Sequence, residues 1–146
     1  MSTKTLATRV VDKMHNNDPF SLWLGIERIE ESEGSSVLRM KVRHDMLNGF
    51  GIIHGGVTFS LADSALAFAS NSYGVQSVSI DNSINYFEPA TEGDVLTATT
   101  EEVRITNKIG LYHIMITNQN GNKIALFKGM VYRTGKLWFE DETSKA

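Results

Sequence analysis

The sequence predicts an α+β fold in which one long central helix is wrapped by an antiparallel sheet of five or six strands. The segment from about 57 to 73 is largely apolar, has helical character and is stopped by Gly74. The chain after it is β in character, with β-branched and aromatic residues between turn signals. The connections between these strands are short, which favours antiparallel pairing with a helix on one face. At 146 residues we expect a single domain, 1–146.

Three elements are predicted before the long helix. Residues 2–16 are expected to form a short amphipathic helix that ends at Asp18-Pro19. Residues 22–29 are predicted to form a first strand. Residues 37–43 are predicted to form a second, half-buried strand, because apolar and charged residues alternate along it.

Four further strands are predicted after the long helix, near 76–87, 94–105, 109–118 and 123–134. The turns between them are marked by Pro89, Gly93, Asn107-Lys108 and Asn120-Gly121. The polar tail, 140–146, is expected to be frayed.

The composition limits the partners of the chain. The formal net charge is −3 with both signs mixed, so nothing in the sequence suggests the basic surface typical of a nucleic-acid-binding protein. There are no cysteines, so disulfides, thiolate metal sites and a cysteine nucleophile are excluded. The N-terminus does not resemble a signal peptide, and no apolar run reaches the length of about 18 residues that spans a membrane. We therefore expect a soluble cytoplasmic protein that binds neither membrane nor nucleic acid.

Asp63 is the only formally charged residue between Asp45 and Asp81. At the chain's 21% charged content, the 35 intervening positions would hold about seven charges, so the segment is predicted to be buried or at an interface. Burial makes a carboxylate costly to ionise, and the raised pKa suits a general base or nucleophile near neutral pH. The alternative is an inert aspartate that is partly exposed or bonded to a buried polar group.

The residues before the helix contain the pair Gly55-Gly56. Glycines at a helix start let a ligand approach the backbone, and the first-turn N–H groups have no partners within the helix. With the helix dipole, these groups are candidates for an oxyanion hole, although the glycines could instead serve loop geometry alone. Asn48 could fix a substrate carbonyl, or only a turn with Gly49. His54 could act as an acid or base, or only fix the loop.

No metal site is predicted, because the four histidines are scattered and no pair has ligand spacing on one helix face. No nucleophile elbow, phosphate-binding loop or dinucleotide-binding fingerprint is present in the sequence.

The spacing between the glycines and the aspartate constrains how they could act together. Asp63 follows Gly56 by seven residues, which returns it to nearly the same helix face but about 10 Å along the axis. One carbonyl carbon cannot reach both groups of the same helix. If both act, they come from different chains, and antiparallel helices across a two-fold axis would form a dimer with two shared sites.

The run N-G-x-G-x-x-H-G-G, followed seven residues later by Asp63, resembles the hotdog-fold acyl-CoA thioesterases. The flanking segments are similar to those of the phenylacetic-acid-degradation thioesterases within that group, and the similarity covers roughly 20–135. The resemblance implies a long helix wrapped by an antiparallel sheet, assembly into homodimers and homotetramers, and hydrolysis of an acyl-CoA thioester without a metal. No cofactor is expected, since coenzyme A is part of the substrate.

The resemblance also implies roles for individual residues. It places the catalytic carboxylate at Asp63 and the oxyanion-hole amide at Gly55, with Asn48 and His54 as neighbours from the same loop. It implies further that the loop and the carboxylate come from opposite subunits. A serine on the strand after the helix assists in some relatives, and Ser79 and Ser83 both lie near that position. Gly56, Phe59 and these two serines are expected to contact the substrate.

Two other functions fit the same residues. One is a hotdog module that binds or senses acyl-CoA without hydrolysing it, which the presence of Asp63 disfavours. The other is a hydratase or dehydratase acting on enoyl thioesters, which would use His54 as its acid or base.

The acyl group is not specified by the sequence, which fits either an aromatic, phenylacetyl-type group or a short to medium aliphatic chain. Candidate pocket residues are Phe50, Phe59, Leu66, Phe68 and Tyr86. Candidate ligands of the coenzyme A phosphates are Arg104, Lys108, Lys128 and Arg133, each of which could equally be an ordinary solvated strand charge.

Overall fold

The computed structural model of the chain describes residues 3–140. Its elements, in chain order, are α1 (Leu6–Asn16), α2 (Pro19–Leu24), β1 (Glu27–Ser32), β2 (Ser35–Lys41), a short 3₁₀ turn (His44–Met46), α3 (Gly55–Asn71), β3 (Val75–Tyr86), β4 (Val95–Ile105), β5 (Ile109–Thr117) and β6 (Lys123–Leu137). The strands form one six-stranded antiparallel sheet in the order β1-β2-β4-β5-β6-β3. The sheet packs against α3, so the predicted α+β class is confirmed.

The long helix α3 lies inside the curve of the sheet. It contacts all six strands, and Leu61, Ala65, Phe68 and Ala69 are at most 1% exposed. The helix begins two residues before the predicted 57–73, because the His54 side chain caps its first turn, and it ends two residues earlier, at Asn71. A helix buried almost all round explains why its sequence is apolar on every face.

The N-terminal helix α1 begins at Leu6 and not at residue 2. The Thr5 hydroxyl oxygen accepts a 3.1 Å hydrogen bond from the Thr8 amide, which is a standard N-cap. Val10 and Val11 are buried, so the apolar face of α1 contributes to the core.

The strand predicted over 22–29 is wrong in its first half, where Leu22 to Leu24 belong to helix α2. The Asp18 carboxylate accepts a 3.0 Å hydrogen bond from the Ser21 amide and caps this helix. Pro19 occupies the first turn, and Gly25 ends the helix with a φ of 75°. These capping residues outweigh the short apolar run, and β1 begins only at Glu27.

The remaining strands lie close to their predicted positions. Leu38 and Met40 of β2 are buried while Arg39 and Lys41 are exposed, as the alternation predicts. β3 pairs with β6 on one side and is an edge strand of the sheet. The pairing is irregular between Ser79 and Asp81, where β3 has one more residue than β6.

Of the predicted tail, Glu140 is exposed, and the rest lies outside the described residues. Across 3–140, no helix combines the length and apolar character that crossing a membrane requires.

Candidate active site

Asp63 lies in the middle of α3 and is half-buried. Burial raises the pKa of its carboxyl above the ordinary value of 3.8, and the negative charge of Asp18 adds to the rise. Asp18 is close because α2 is linked to α3 by a 2.8 Å hydrogen bond between the Ser21 and Ser64 hydroxyls. A carboxyl held in this way is suited to take up or release a proton nearer neutral pH.

The strand β3 brings two polar side chains to Asp63. The Asn82 amide nitrogen donates a 2.6 Å hydrogen bond to the Ser79 hydroxyl oxygen and lies 3.5 Å from the Asp63 carboxylate. Ser79 pairs with Val131 and Asn82 pairs with Gly129, so the two residues are three apart on β3 but their partners are two apart on β6. This extra residue places both side chains on the face that carries α3.

The sequence indicated Ser79 and Ser83 as candidates and did not indicate Asn82, since the period of two along a strand places positions 79 and 82 on opposite faces. Ser83 pairs with Lys128 and is exposed on the face away from α3. Within one protomer the structure therefore brings Ser79 to Asp63 and does not bring Ser83 there.

The N-terminus of α3 forms a second group of site residues. The Gly56 amide donates a 3.0 Å hydrogen bond to Nδ1 of His54, which uses that ring nitrogen as the helix cap. The Gly55 N–H has no hydrogen-bond partner within residues 3–140. A Cβ at position 55 would lie 3.0 Å from the Tyr86 hydroxyl, so only glycine leaves this approach open without adjustment. The arrangement can donate a hydrogen bond to an oxygen that gains negative charge.

Asn48 closes the loop that precedes the helix. Its side-chain oxygen accepts hydrogen bonds from the Phe50 amide at 2.9 Å and the Ile52 amide at 3.4 Å. The Asn48 side-chain oxygen therefore stabilises the loop, and its NH₂ group is the part that could donate a hydrogen bond to a ligand.

An apolar cavity of about 320 Å³ opens beside the N-terminus of α3. Its lining residues are Ile52, Ile53, Gly55, Thr58, Tyr86, Phe87, Glu88, Pro89 and Ile124. Thr58 is fully buried, and its hydroxyl oxygen makes no hydrogen bond with the described residues. Because Gly55 is one of the lining residues, the cavity lies next to its N–H group, which has no partner among the described residues.

The candidate pocket residues have different environments. Tyr86 lines the cavity, whereas Phe59 packs edge-on against Phe127 with ring centroids 5.0 Å apart. Leu66 and Phe68 are only 1% exposed and belong to the core, so their prediction as pocket residues is wrong for a single protomer. Leu66 lies against Gly129 of β6, whereas the Phe68 ring packs edge-on against His15 of α1, with ring centroids 5.7 Å apart. Phe50 is at the loop tip and is 89% exposed.

Among the candidate phosphate ligands, Lys108 and Arg133 are neighbours, since the Arg133 amide donates a 2.8 Å hydrogen bond to the Lys108 carbonyl oxygen, whereas Lys128 pairs with His113 further along β6. Arg104, Lys108 and Lys128 are exposed strand and turn residues. Arg133 donates a 3.0 Å hydrogen bond to the Thr106 carbonyl oxygen, and its guanidinium lies over the ring of Tyr73. Arg133 thus has a structural role in the protomer. In the described part of the chain, no three His, Asp or Glu side chains are grouped as metal ligands would be.

Comparison with known proteins assigns the chain to a family. Residues 50–125 match the family described as the thioesterase superfamily. The chain belongs to the thioesterase superfamily. It is thus an enzyme of the thioesterase class with the hotdog fold, which confirms the resemblance drawn from the Asn48–Asp63 motif.

Individual members of the thioesterase superfamily are similar over most of the chain. The acyl-coenzyme A thioesterase PaaI of Escherichia coli is 42% identical over 122 residues, which cover 84% of this chain and 87% of that protein. The solved structure of the E. coli PaaI protein of the phenylacetic acid degradation operon superposes with a TM-score of 0.89 at 39% identity. It covers 90% of this chain, and the match spans 96% of that one.

A hypothetical thioesterase protein of Streptococcus pneumoniae, solved with coenzyme A, superposes with a TM-score of 0.80 at 27% identity. The match covers 87% of this chain and 98% of that one. Alanine variants of the S. pneumoniae protein have also been solved. One replaces an aspartate, and another replaces a threonine that lies sixteen positions later.

Proposed function

We propose that this thioesterase hydrolyses acyl-CoA, and that each active site combines Asp63 of one protomer with the Gly55 amide of its partner. The observation that carries the proposal is the placement of these two groups on α3. One is a half-buried carboxyl with a raised pKa, and the other is a backbone N–H without a partner among the described residues. Acyl transfer to water needs both a base or nucleophile and a donor for the oxyanion.

The helix that carries both groups keeps them apart. Gly55 is the first residue of α3 and Asp63 lies eight residues further along, so the two are about 12 Å apart along the axis. A thioester carbonyl is too small to contact both within one chain. Two protomers related by a two-fold axis, with their α3 helices antiparallel, would complete two equivalent sites.

The free edge of the sheet supports this dimer. β3 has twelve residues and one unpaired side, and an exposed edge of that length can pair with a strand of another chain. Large apolar side chains along and just after it are more than half exposed, namely Val78, Ile80, Tyr86 and Phe87. Pairing of two β3 edges would bury them and bring the two α3 helices side by side. The homodimer is the minimal active unit in this proposal, and the homotetramer stays our expectation for the full assembly.

The proposed reaction converts an acyl-CoA and water into a carboxylic acid and free coenzyme A. The Gly55 N–H donates a hydrogen bond to the thioester carbonyl oxygen, which gains negative charge as the carbon becomes tetrahedral. The ionised Asp63 carboxylate then acts in one of two ways. It removes a proton from the attacking water, or it attacks the carbonyl carbon and forms an anhydride that water cleaves. In both routes the carbon–sulfur bond breaks and the sulfur leaves as a thiolate. The thiolate takes up the proton that Asp63 removed from water in the first route, and a proton from water in the second.

Ser79 is proposed as the assisting serine. It follows Asp63 by sixteen positions, the same spacing as the aspartate and threonine replaced in the S. pneumoniae protein. Its hydroxyl accepts a hydrogen bond from Asn82, so its own hydrogen remains free to be donated to the water or the leaving sulfur.

The cavity beside Gly55 supports the substrate class. Its apolar lining suits an aromatic, phenylacetyl-type acyl group or a short to medium aliphatic chain, and its position lets the carbonyl reach the helix N-terminus. No cofactor enters the reaction, since coenzyme A is part of the substrate.

Release of free thiol from a panel of aromatic, short and long acyl-CoAs tests the proposal directly. The wild type should release thiol, and Asp63→Ala should lower kcat by about 10²- to 10⁴-fold while the protein stays folded and assembled. Binding of acyl-CoA without thiol release would instead support the non-hydrolysing module. Loss of enoyl-thioester absorbance without thiol release would support a hydratase.

A further inference from the structure

We infer that Asn82 is a positioning residue of the thioesterase site, whose side-chain amide holds the Ser79 hydroxyl and the Asp63 carboxylate together on the inner face of β3. The inference rests on the proposed roles of Asp63 and Ser79. It concerns a residue type that neither the motif nor the family assignment specifies.

Two contacts define the position of the amide. One hydrogen of the NH₂ group is donated to Ser79 at 2.6 Å, and the other faces the Asp63 carboxylate, with the nitrogen and oxygen 3.5 Å apart. The opposite orientation of the amide would turn its oxygen towards the carboxylate, and two acceptors would repel each other. The charge on Asp63 thus favours the orientation in which the Asn82 NH₂ group points to the carboxylate and donates to the Ser79 hydroxyl oxygen.

The neighbouring strand leaves room for this side chain. Asn82 pairs directly with Gly129 of β6. A Cβ at position 129 would lie 3.0 Å from the Asn82 side-chain oxygen and 2.6 Å from a methyl group of Leu66. Any larger residue there would displace the amide or the core. Glycine at 129 and the extra residue in β3 together place Asn82 against Asp63.

The electrostatic surroundings give the amide a measurable effect. The carboxylate of Asp18, at the start of α2, opposes ionisation of Asp63. The strands on the other side present Ser79, Asn82 and Gly129, none of which carries a charge. The amide of Asn82 is therefore the group from the sheet that favours the ionised carboxylate, and its removal should make Asp63 harder to ionise.

The test compares Asn82→Leu and Asn82→Asp, which are close to isosteric, with Asn120→Asp as the matched control. Asn120 is exposed in the turn between β5 and β6, away from the proposed dimer edge, so its variant adds the same charge outside the site. The pH dependence of kcat and KM for thiol release is measured for all four proteins, together with a ¹³C NMR titration of the Asp63 carboxyl, which needs no turnover.

We expect both Asn82 variants to move the acid limb of kcat to higher pH, Asn82→Asp more than Asn82→Leu. At pH 5.5 kcat should fall by at least about threefold relative to wild type, the loss should shrink by pH 8, and KM should change less than twofold. Gly129→Ala should shift the profile in the same direction, as it displaces the amide. Asn120→Asp should keep the wild-type profile.

A purely structural role would lower Tm and scale kcat down equally at every pH. That result, or a wild-type NMR titration in both Asn82 variants, would overturn the inference. Failure of the proposed function would look different, since Asp63→Asn would then retain hydrolysis while the NMR titration of the Asn82 variants still reported on the amide.

Discussion

The Tyr86 hydroxyl donates a 2.7 Å hydrogen bond to the carbonyl oxygen of Gly55. The N–H of the same peptide group, that of Gly56, is bonded to the His54 ring. One peptide at the start of α3 is therefore held from both ends by side chains. This restraint fixes the direction of the preceding Gly55 N–H, which points from the helix end without a described partner.

Tyr86→Phe should lower kcat by about fivefold, equivalent to the loss of about 1 kcal/mol from one hydrogen bond. The ring that lines the cavity is retained, so KM should change little. Tyr132→Phe is the control, because Tyr132 is also partly exposed but lies on the outer face of β6. Steady-state kinetics of both variants check this, and equal effects would contradict a role for the Tyr86 hydroxyl.

Gly55→Pro should abolish hydrolysis and leave the fold intact. Proline is accepted at the first position of a helix, where its missing N–H is not used by the helix itself. His54 precedes it with a φ of −66° and a ψ of 131°, a conformation compatible with a following proline.

Gly55→Ala is the matched control for that change. It adds the same Cβ next to Tyr86 but keeps the N–H, so it should lose far less kcat than Gly55→Pro. Thiol-release assays and circular dichroism compare the two. Similar activity in both would mean that the Gly55 N–H does not bind the carbonyl oxygen.

Mixing two inactive proteins should restore activity if sites are shared. A dimer of one Asp63→Ala protomer and one Gly55→Pro protomer would contain one intact site and one doubly defective site. After random exchange of subunits, half of the dimers would be mixed, so about one quarter of the wild-type activity should return. Thiol release before and after exchange measures this. No recovery, with exchange verified by native mass spectrometry, would place both groups of a site in one chain.

Asp63→Asn should stabilise the protein at neutral pH and not at acid pH. The pKa of Asp63 in the fold is raised above 3.8, so its ionised form is disfavoured by folding. The wild type therefore loses stability as the pH rises through that raised pKa, and the amide variant does not. The gain in Tm should be complete at pH 7 and should vanish as the pH falls towards 3.8.

Thermal unfolding of both proteins from pH 4 to pH 8 measures this difference. Asp81→Asn is the control, since Asp81 is exposed on the same edge strand that carries Asn82. A Tm difference that is independent of pH would show that ionisation of Asp63 is not its source.

Much of the fold could be predicted because periodic burial governs most of the elements. The apolar run around Leu61 predicts a buried helix, and the alternation through Leu38 and Met40 predicts a half-buried strand. Helix α2 could not be predicted from apolar content, since its existence depends on the cap at Asp18 and the left-handed Gly25.

The candidate site could be partly predicted for a similar reason. A single charge in an apolar segment identifies Asp63, and paired glycines identify the helix start. Asn82 was not predictable, because its side of the strand depends on the extra residue between Ser79 and Asp81. That irregularity depends on pairing with β6, more than forty residues away, so the sequence around Ser79 and Asp81 does not indicate it.

The eight-residue separation of Gly55 and Asp63 along one rigid helix has a consequence for how activity varies with enzyme concentration. In the proposed two-chain arrangement, a lone protomer carries all the reactive groups and yet no complete site. As the enzyme is diluted, its specific activity should stay constant while the concentration remains above the dissociation constant of the dimer. Below that concentration the specific activity should fall steeply. Assembly would thus be the first step of catalysis.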